Sequence, residues 1–260
     1  MSKNLRDLQN QYHVDKKSIE RQPAHSKDLE AYAAPLTHDR CFEIVNHIAS
    51  QHAKGKSMQV LILGAGSGYF DKRLLDDGFK NIDAIEYIPE YYKVRGTRLY
   101  SYDLNLPWSG KLLSQNGNRK YDLIIAIEVI EHLENQFLLM REIKNILSYK
   151  GSILITSPNV SSSFSRWRYL LTGYLEYFGP VELDGTGHIH PLFPHIFKLN
   201  LSMNNFKIIH THQNRNVWSA RIKESKIIKK IFIILLFIIS KITIYKKFKE
   251  GEINIYEIYS

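Results

Sequence analysis

The sequence predicts a doubly wound α/β fold, a mostly parallel sheet with helices on both faces. Five apolar, strand-like runs alternate with helix-like stretches between residues 59 and 156, and strands interleaved with helices pair in parallel through crossovers. The first run ends in a glycine-rich turn, Gly64-Ala65-Gly66-Ser67-Gly68. A chain of 260 residues with 44% hydrophobic content is enough for one large packed domain.

In chain order, residues 1–37 are polar and weakly periodic and read as an N-terminal arm or cap ahead of a domain spanning 38–260. Phe42, Val45 and Ile48 recur at helical spacing within 38–53. Strands are expected at Gln59–Leu63, Asn81–Glu86, Thr97–Tyr102, Tyr121–Ile127 and Gly151–Thr156. Helices are expected at Tyr69–Asp77, Glu90–Arg95 and Asn135–Ser148. Phe206–His212 and Ile253–Ile258 supply two further strands. Between Val160 and Phe193 the rhythm breaks into a stretch rich in Ser, Gly and aromatics, too long for an ordinary connection and expected to form a lid over the substrate.

Charge is uneven. The formal total is +9, and from Arg221 to Glu250 nine Lys or Arg face two Glu. The basic segment 226–249 surrounds an apolar core, Ile231–Ile239, which is half the ~20 residues a spanning helix needs. Lysines at both ends of 229–247 instead suit a helix lying on an anionic membrane surface; a buried helix and an oligomer contact are the rival expectations. The one cysteine, Cys41, allows no intrachain disulfide. A cytoplasmic location is expected from that and from a first stretch lacking the apolar core of a signal peptide, with peripheral contact at the inner membrane face as a further expectation.

In Val60-Leu61-Ile62-Leu63-Gly64-Ala65-Gly66-Ser67-Gly68-Tyr69-Phe70 a buried strand runs into a turn that opens a helix. Glycines permit positive φ and let a ligand lie against bare backbone. Tyr69 stands where a dinucleotide motif needs its third glycine, so a ligand without pyrophosphate is favoured. Glu86 ends the second strand, placed to accept two ribose hydroxyls. Asp103 follows the third strand beside Leu104, where a carboxylate can take an adenine amino proton. Ligands of such sheets sit at the carboxyl ends of the strands, where all three loops converge.

These residues, with Tyr121–Leu133 on the fourth strand, resemble the class I S-adenosylmethionine-dependent methyltransferases over roughly Val60 to Phe206. The resemblance implies a Rossmann-like seven-stranded sheet with the last strand antiparallel. It also implies S-adenosyl-L-methionine as cofactor, held by Gly64, Ala65, Gly66, Gly68, Glu86, Asp103, Leu104 and Ile127. The family's usual acid two residues before the first glycine is absent, its place taken by Ile62.

Glu128-Val129-Ile130-Glu131-His132 stands where an acceptor would approach. If a helix begins there, Glu128, Glu131 and His132 share a face, and either His132 acts as a base or the three hold a divalent cation, Mg or Mn. This grouping is similar to that of metal-dependent small-RNA 2′-O-methyltransferases and of quinone-precursor O-methyltransferases, and the resemblance implies a later histidine completing the site, His188 or His190. The lid, with Arg166 and Arg168 among aromatics, is loosely similar to methyltransferases of bacterial surface-polysaccharide synthesis. No Asp/Asn-Pro-Pro-aromatic turn and no Pro-Cys pair occurs, which favours an oxygen acceptor. The expectation is therefore an O-methyltransferase of a sugar or lipid-linked glycan intermediate. The alternatives are methylation of an RNA end or a quinone precursor, and a non-catalytic cofactor-binding assembly protein. Nucleic acid is not favoured, because the positive charge surrounds an apolar segment rather than base-stacking aromatics. The sequence leaves the oligomeric state open.

Overall fold

In the computed structural model, which describes residues 29–243 and 250–260, seven strands form one sheet. They are β1 (Gln59–Leu63), β2 (Asn81–Ile85), β3 (Arg98–Tyr100), β4 (Tyr121–Ala126), β5 (Leu147–Pro158), β6 (Lys207–Gln213) and β7 (Ile253–Tyr259). Their order is β3-β2-β1-β4-β5-β7-β6. The first five pair in parallel, and β7 runs antiparallel to both β5 and β6.

Each central strand is apolar on both sides because both faces are covered. Val60 and Ile62, with Leu123, Ile125 and Leu154, pack under helices α1 (Thr37–Gln51) and α2 (Tyr69–Asp76). Leu61, Leu63, Ile124, Ala126 and Ile153 point the other way, against α3 (Ser109–Asn116), α4 (Gln136–Ile146) and α7 (Pro194–Met203). The period of two along each strand thus sorts the sequence between two cores.

Several elements depart from the sequence expectation. Glu90–Arg95 is no α-helix: a single 3-10 turn at Pro89–Tyr91 gives way to extended chain, and Gly96 takes φ 96°. Helix α3 was not foreseen, because its cap comes from far along the chain: the Trp108 and Ser109 N–H groups donate to the Glu142 carboxylate of α4 at 2.7 and 2.6 Å. Strand β5 begins at Leu147, inside the stretch read as helix, and bulges where Lys150 adopts φ 59°.

The segment 160–193 carries two helices, α5 (Ser163–Thr172) and α6 (Pro180–Thr186). Ser162 caps α5, its hydroxyl accepting the Ser165 N–H at 3.1 Å. Beyond β6 follow α8 (Val217–Glu224) and α9 (Ile227–Thr243). A small satellite core of Val217, Trp218 and Ile233, with Phe164, Trp167 and Leu236 against it, binds α5, α8 and α9 together. The Trp167 and Trp218 indoles donate to Ser240 and Ser163 at 2.6 and 2.8 Å. Of the N-terminal arm, residues 1–28 lie outside the described residues, as do 244–249 of the basic apolar segment.

Candidate active site

The carboxyl ends of β1, β2, β3 and β4 open on one cavity of about 2380 Å³. Small-molecule sites commonly run to roughly 300–1,000 Å³, so a nucleoside leaves room for a sizeable second molecule.

At one end lies the glycine turn. Gly64, Gly66 and Gly68 all take left-handed φ, at 63°, 55° and 85°. A Cβ on Gly64 would stand 2.6 Å from Val129 Cγ2, and one on Gly66 3.3 Å from the Tyr32 ring. Tyr32 belongs to the arm: the Ser67 hydroxyl donates to the Glu30 carbonyl at 2.8 Å, drawing residues 30–35 over the turn as one wall of the cavity. Burial beside Glu30 pushes the Tyr32 phenol up to about 12.

Glu86 faces this turn, accepting the Gly66 N–H at 2.8 Å and the Ile88 N–H at 3.1 Å. Asp103 accepts the Asn105 N–H at 2.9 Å through one oxygen. Glu86, Asp103 and Leu104 line the cavity with Gly64 and Gly66. Ala65, Gly68 and Ile127, also expected at the cofactor, are not among the residues lining it. Ala65 and Ile127 pack into the core beneath α1 and α2, and Gly68 is closed off by Val94, 2.4 Å from where its Cβ would be. Within α2, Asp71 is fully buried and donated to by Tyr92 at 3.0 Å; burial raises its carboxyl to about 7.

Beyond Val129 lies a second group. The expected helical turn is a 3-10 turn, Ile130–His132, and Glu128 precedes it with φ 53°. Glu128 is therefore not on the face of Glu131 and His132. It accepts hydrogen bonds from the Thr156 hydroxyl at 2.6 Å, while its own N–H donates to that oxygen at 2.8 Å. Glu131, His132 and His188 do converge, with ligand atoms within 4.8 Å of one another. His190 stays outside: the Ile189 and His190 N–H groups both bond the Glu131 carbonyl, which fixes the strap so that His188 enters the cavity and the His190 ring lies toward Leu133.

The Glu131 carboxylate is fully buried, and neither oxygen has a hydrogen-bond partner among the described residues. Burial, then the charge of Glu128, holds its carboxyl well above the usual range. His132 Nδ1 contacts the Gly187 carbonyl at 3.1 Å, and His188 Nδ1 the Tyr177 carbonyl at 2.9 Å. A carbonyl only accepts, so Nδ1 carries a proton in both rings, and in the neutral form of each Nε2 keeps the lone pair. Burial lowers the pKa of His188, favouring that neutral form.

A third set was missed by sequence reasoning. Glu252 side-chain atoms are fully buried, accepting from Arg221 at 2.9 Å and, more closely, from Arg215 and Tyr177. Arg221 also pairs with Glu176, and Arg168 bridges Glu176 and Glu182 at 3.1 and 3.3 Å. Burial alone would raise the Glu252 carboxyl, but the hydrogen bonds and positive charges hold it below its usual value. The signal was present: a last strand antiparallel to β5 brings the residue before it to the carboxyl edge. Pairing of Pro158 with Ile253 puts Glu252 on the rim that carries Glu128.

A glycine turn and two cavity-lining acids, Glu86 and Asp103, thus gather at the carboxyl ends of the strands, where the ligands of such sheets bind. The family described as "Methyltransferase domain" matches residues 34–211, and the chain belongs to it: it is an S-adenosylmethionine-dependent methyltransferase. A ubiquinone biosynthesis O-methyltransferase from Rickettsia typhi is 30% identical over 107 residues, 40% of this chain and 43% of that protein, so the match spans less than half of this relative's length. A SAM-dependent methyltransferase from Archaeoglobus fulgidus superposes with TM-score 0.56 at 14% identity, covering 86% of this chain and 95% of the other. The magnesium protoporphyrin IX methyltransferase of Synechocystis, solved with bound SAH, gives 0.53 at 10% identity over 97% and 93%. At these identities the two structures speak for the fold alone.

Proposed function

We propose that the chain transfers methyl groups to a hydroxyl oxygen of a large acceptor, a sugar or lipid-linked glycan intermediate. Gly64 and Gly66 backbone, the Glu86 carboxylate and the Asp103–Leu104 loop hold the cofactor. When bound, that cofactor supplies an electrophilic methyl on a sulfonium. The bare backbone at Gly64, which a Cβ would fill against Val129, fits it.

The protein's own work is alignment and proton removal. His132, with its Nδ1 proton held by the Gly187 carbonyl, presents Nε2 to take the hydroxyl proton. Glu131, with no hydrogen-bond partner on either buried oxygen, is disfavoured as an anion by burial and by the charge of Glu128, so it stays protonated or takes a cation. Glu131, His132 and His188 are a donor set of one carboxylate and two imidazoles that fits a divalent metal; Glu128 stands outside it. The two roles exclude each other at His132: such a metal, when bound, would take its Nε2 lone pair and would acidify a coordinated hydroxyl in place of the base. The single observation that carries the oxygen-acceptor reading is this buried base group between the cofactor turn and the lid.

A quinone-precursor acceptor is the second reading, favoured by the apolar wall of Phe164, Trp167, Leu171, Ile233 and Leu236 at the far end of the cavity and by the relative from Rickettsia typhi. The test incubates purified protein and methyl-labelled cofactor with membrane lipid extracts, then fractionates the products. Label in glycan-bearing lipid supports the first reading. Label in a phenolic lipid replaces it with the second, and label on nitrogen or carbon overturns both.

A further inference from the structure

Helix α9 buries only one side. Ile233 and Ser240 face the satellite core, while Ile227, Ile231, Ile234, Leu235 and Ile238 are exposed among the described residues, Ile227 to 75%, Ile231 to 58% and Leu235 to 53%. Their spacing of three and four residues draws one apolar stripe along the helix. Globular surfaces seldom hold such a stripe without a partner.

We propose that this stripe docks on an anionic lipid surface and holds the cavity one helix away from it, within reach of the head group of a membrane-anchored acceptor. Charge selects the occupant. From Ser225 to Lys249 the sequence carries seven lysines and no acid. A second copy meeting this face by two-fold symmetry would bring the same positive helix against it, whereas an anionic bilayer neutralises it. Among the described lysines, Lys226 just before the helix and Lys229 in its first turn are exposed, Lys229 on the cavity side. Among the described residues no helix is long and apolar enough to cross a membrane, so the contact is interfacial.

Position ties the surface to the site. Lys229, Ile233 and Leu236 of α9 line the same cavity as His132 and Gly64, and so does Leu171 of the lid, which is itself 54% exposed. The cavity therefore extends from the cofactor turn to the space between α5 and α9, so that α9 stands between its far end and the stripe. An acceptor with its tail in the bilayer would pass its head group round α9 to approach His132. That delivery rests on the methyl-transfer reading; the docking does not.

The test is flotation of the full chain with phosphatidylcholine vesicles, with and without phosphatidylglycerol, beside calorimetry with S-adenosylmethionine. Wild type is expected to float with phosphatidylglycerol vesicles only, and to release at high salt. The triple variant Ile231→Glu, Leu235→Glu, Ile238→Glu should partition at least about tenfold less, given the apolar area withdrawn, with cofactor affinity unchanged as the check on its fold. Wild type that fails to float, or a triple variant that floats equally, overturns the docking. A dimer broken by the triple variant without vesicle binding overturns it in favour of a second copy. Flotation without cofactor heat leaves the docking standing and overturns the methyl-transfer reading instead.

Discussion

Replacing Gly64 with alanine tests the cofactor turn at its tightest point. The residue sits at φ 63°, where a side chain costs about 1–2 kcal/mol. Its new Cβ would lie 2.6 Å from Val129 Cγ2, well inside the 3.4 Å at which ordinary contact begins. Val129 is β-branched and stiff at χ1, and it lines the cavity, so it yields toward the cofactor. Overpacking of this kind adds about 1–3 kcal/mol. The expected total is about 2–5 kcal/mol, shared between a lower melting point and a cofactor affinity weakened by about ten- to a hundredfold. The double variant Gly64→Ala/Val129→Ala removes the clash and leaves the φ strain, so affinity should return most of the way while stability recovers only partly. Calorimetric titration and thermal melts of the four proteins decide it. Wild-type affinity in Gly64→Ala, or no rescue by Val129→Ala, would refute the reasoning.

Glu86→Gln should weaken cofactor binding by about ten- to a hundredfold, the loss of charge-assisted hydrogen bonds at about 1.5–3 kcal/mol, read by the same titration. Glu131 has a folded pKa above its ordinary 4.5; its contribution to stability is present below that ordinary value and lost as pH rises through the folded one. Urea melts across pH should therefore show Glu131→Gln gaining on wild type by about 1.4 kcal/mol per pH unit within that window; a constant difference would contradict the buried, unpartnered carboxylate. Mg or Mn should flatten the wild-type profile and leave the variant's unchanged, and a cation without effect on either argues against the metal. Arg221→Met strips the buried Glu252 of one partner while Arg215 and Tyr177 remain, and should cost about 1.5–3 kcal/mol in urea unfolding, with the lid more open to protease.

The sheet was legible because its strands are apolar on both faces, a pattern set by each run's own residues, such as Val60–Leu63. The antiparallel β7 came through the family resemblance and stands so in the structure. What escaped depends on partners distant in sequence. The N-terminal cap of α3 is Glu142, more than thirty residues on. The start of β5 at Leu147 follows from pairing with Tyr121, which overrides the helical pattern before it. At the site, Gly64, Gly66, Glu86, Asp103 and Leu104 line the cavity as their motif positions suggested, because local chain geometry at strand ends places them. Local helix geometry misled at Glu128, where a left-handed backbone interrupts the i, i+3, i+4 face. His188 and His190 were indistinguishable in sequence; the two N–H groups bonding the Glu131 carbonyl separate them. Arg221 and Glu252 needed the topology to meet at all.

The most direct measurement is a crystal structure of the protein with S-adenosylhomocysteine. The nucleoside is expected in the cleft beneath Tyr32, with its ribose hydroxyls within hydrogen-bonding distance of Glu86 and its adenine beside Asp103 and Leu104. A ligand seated elsewhere, or one whose ribose is held by other side chains with Glu86 turned away, contradicts this placement.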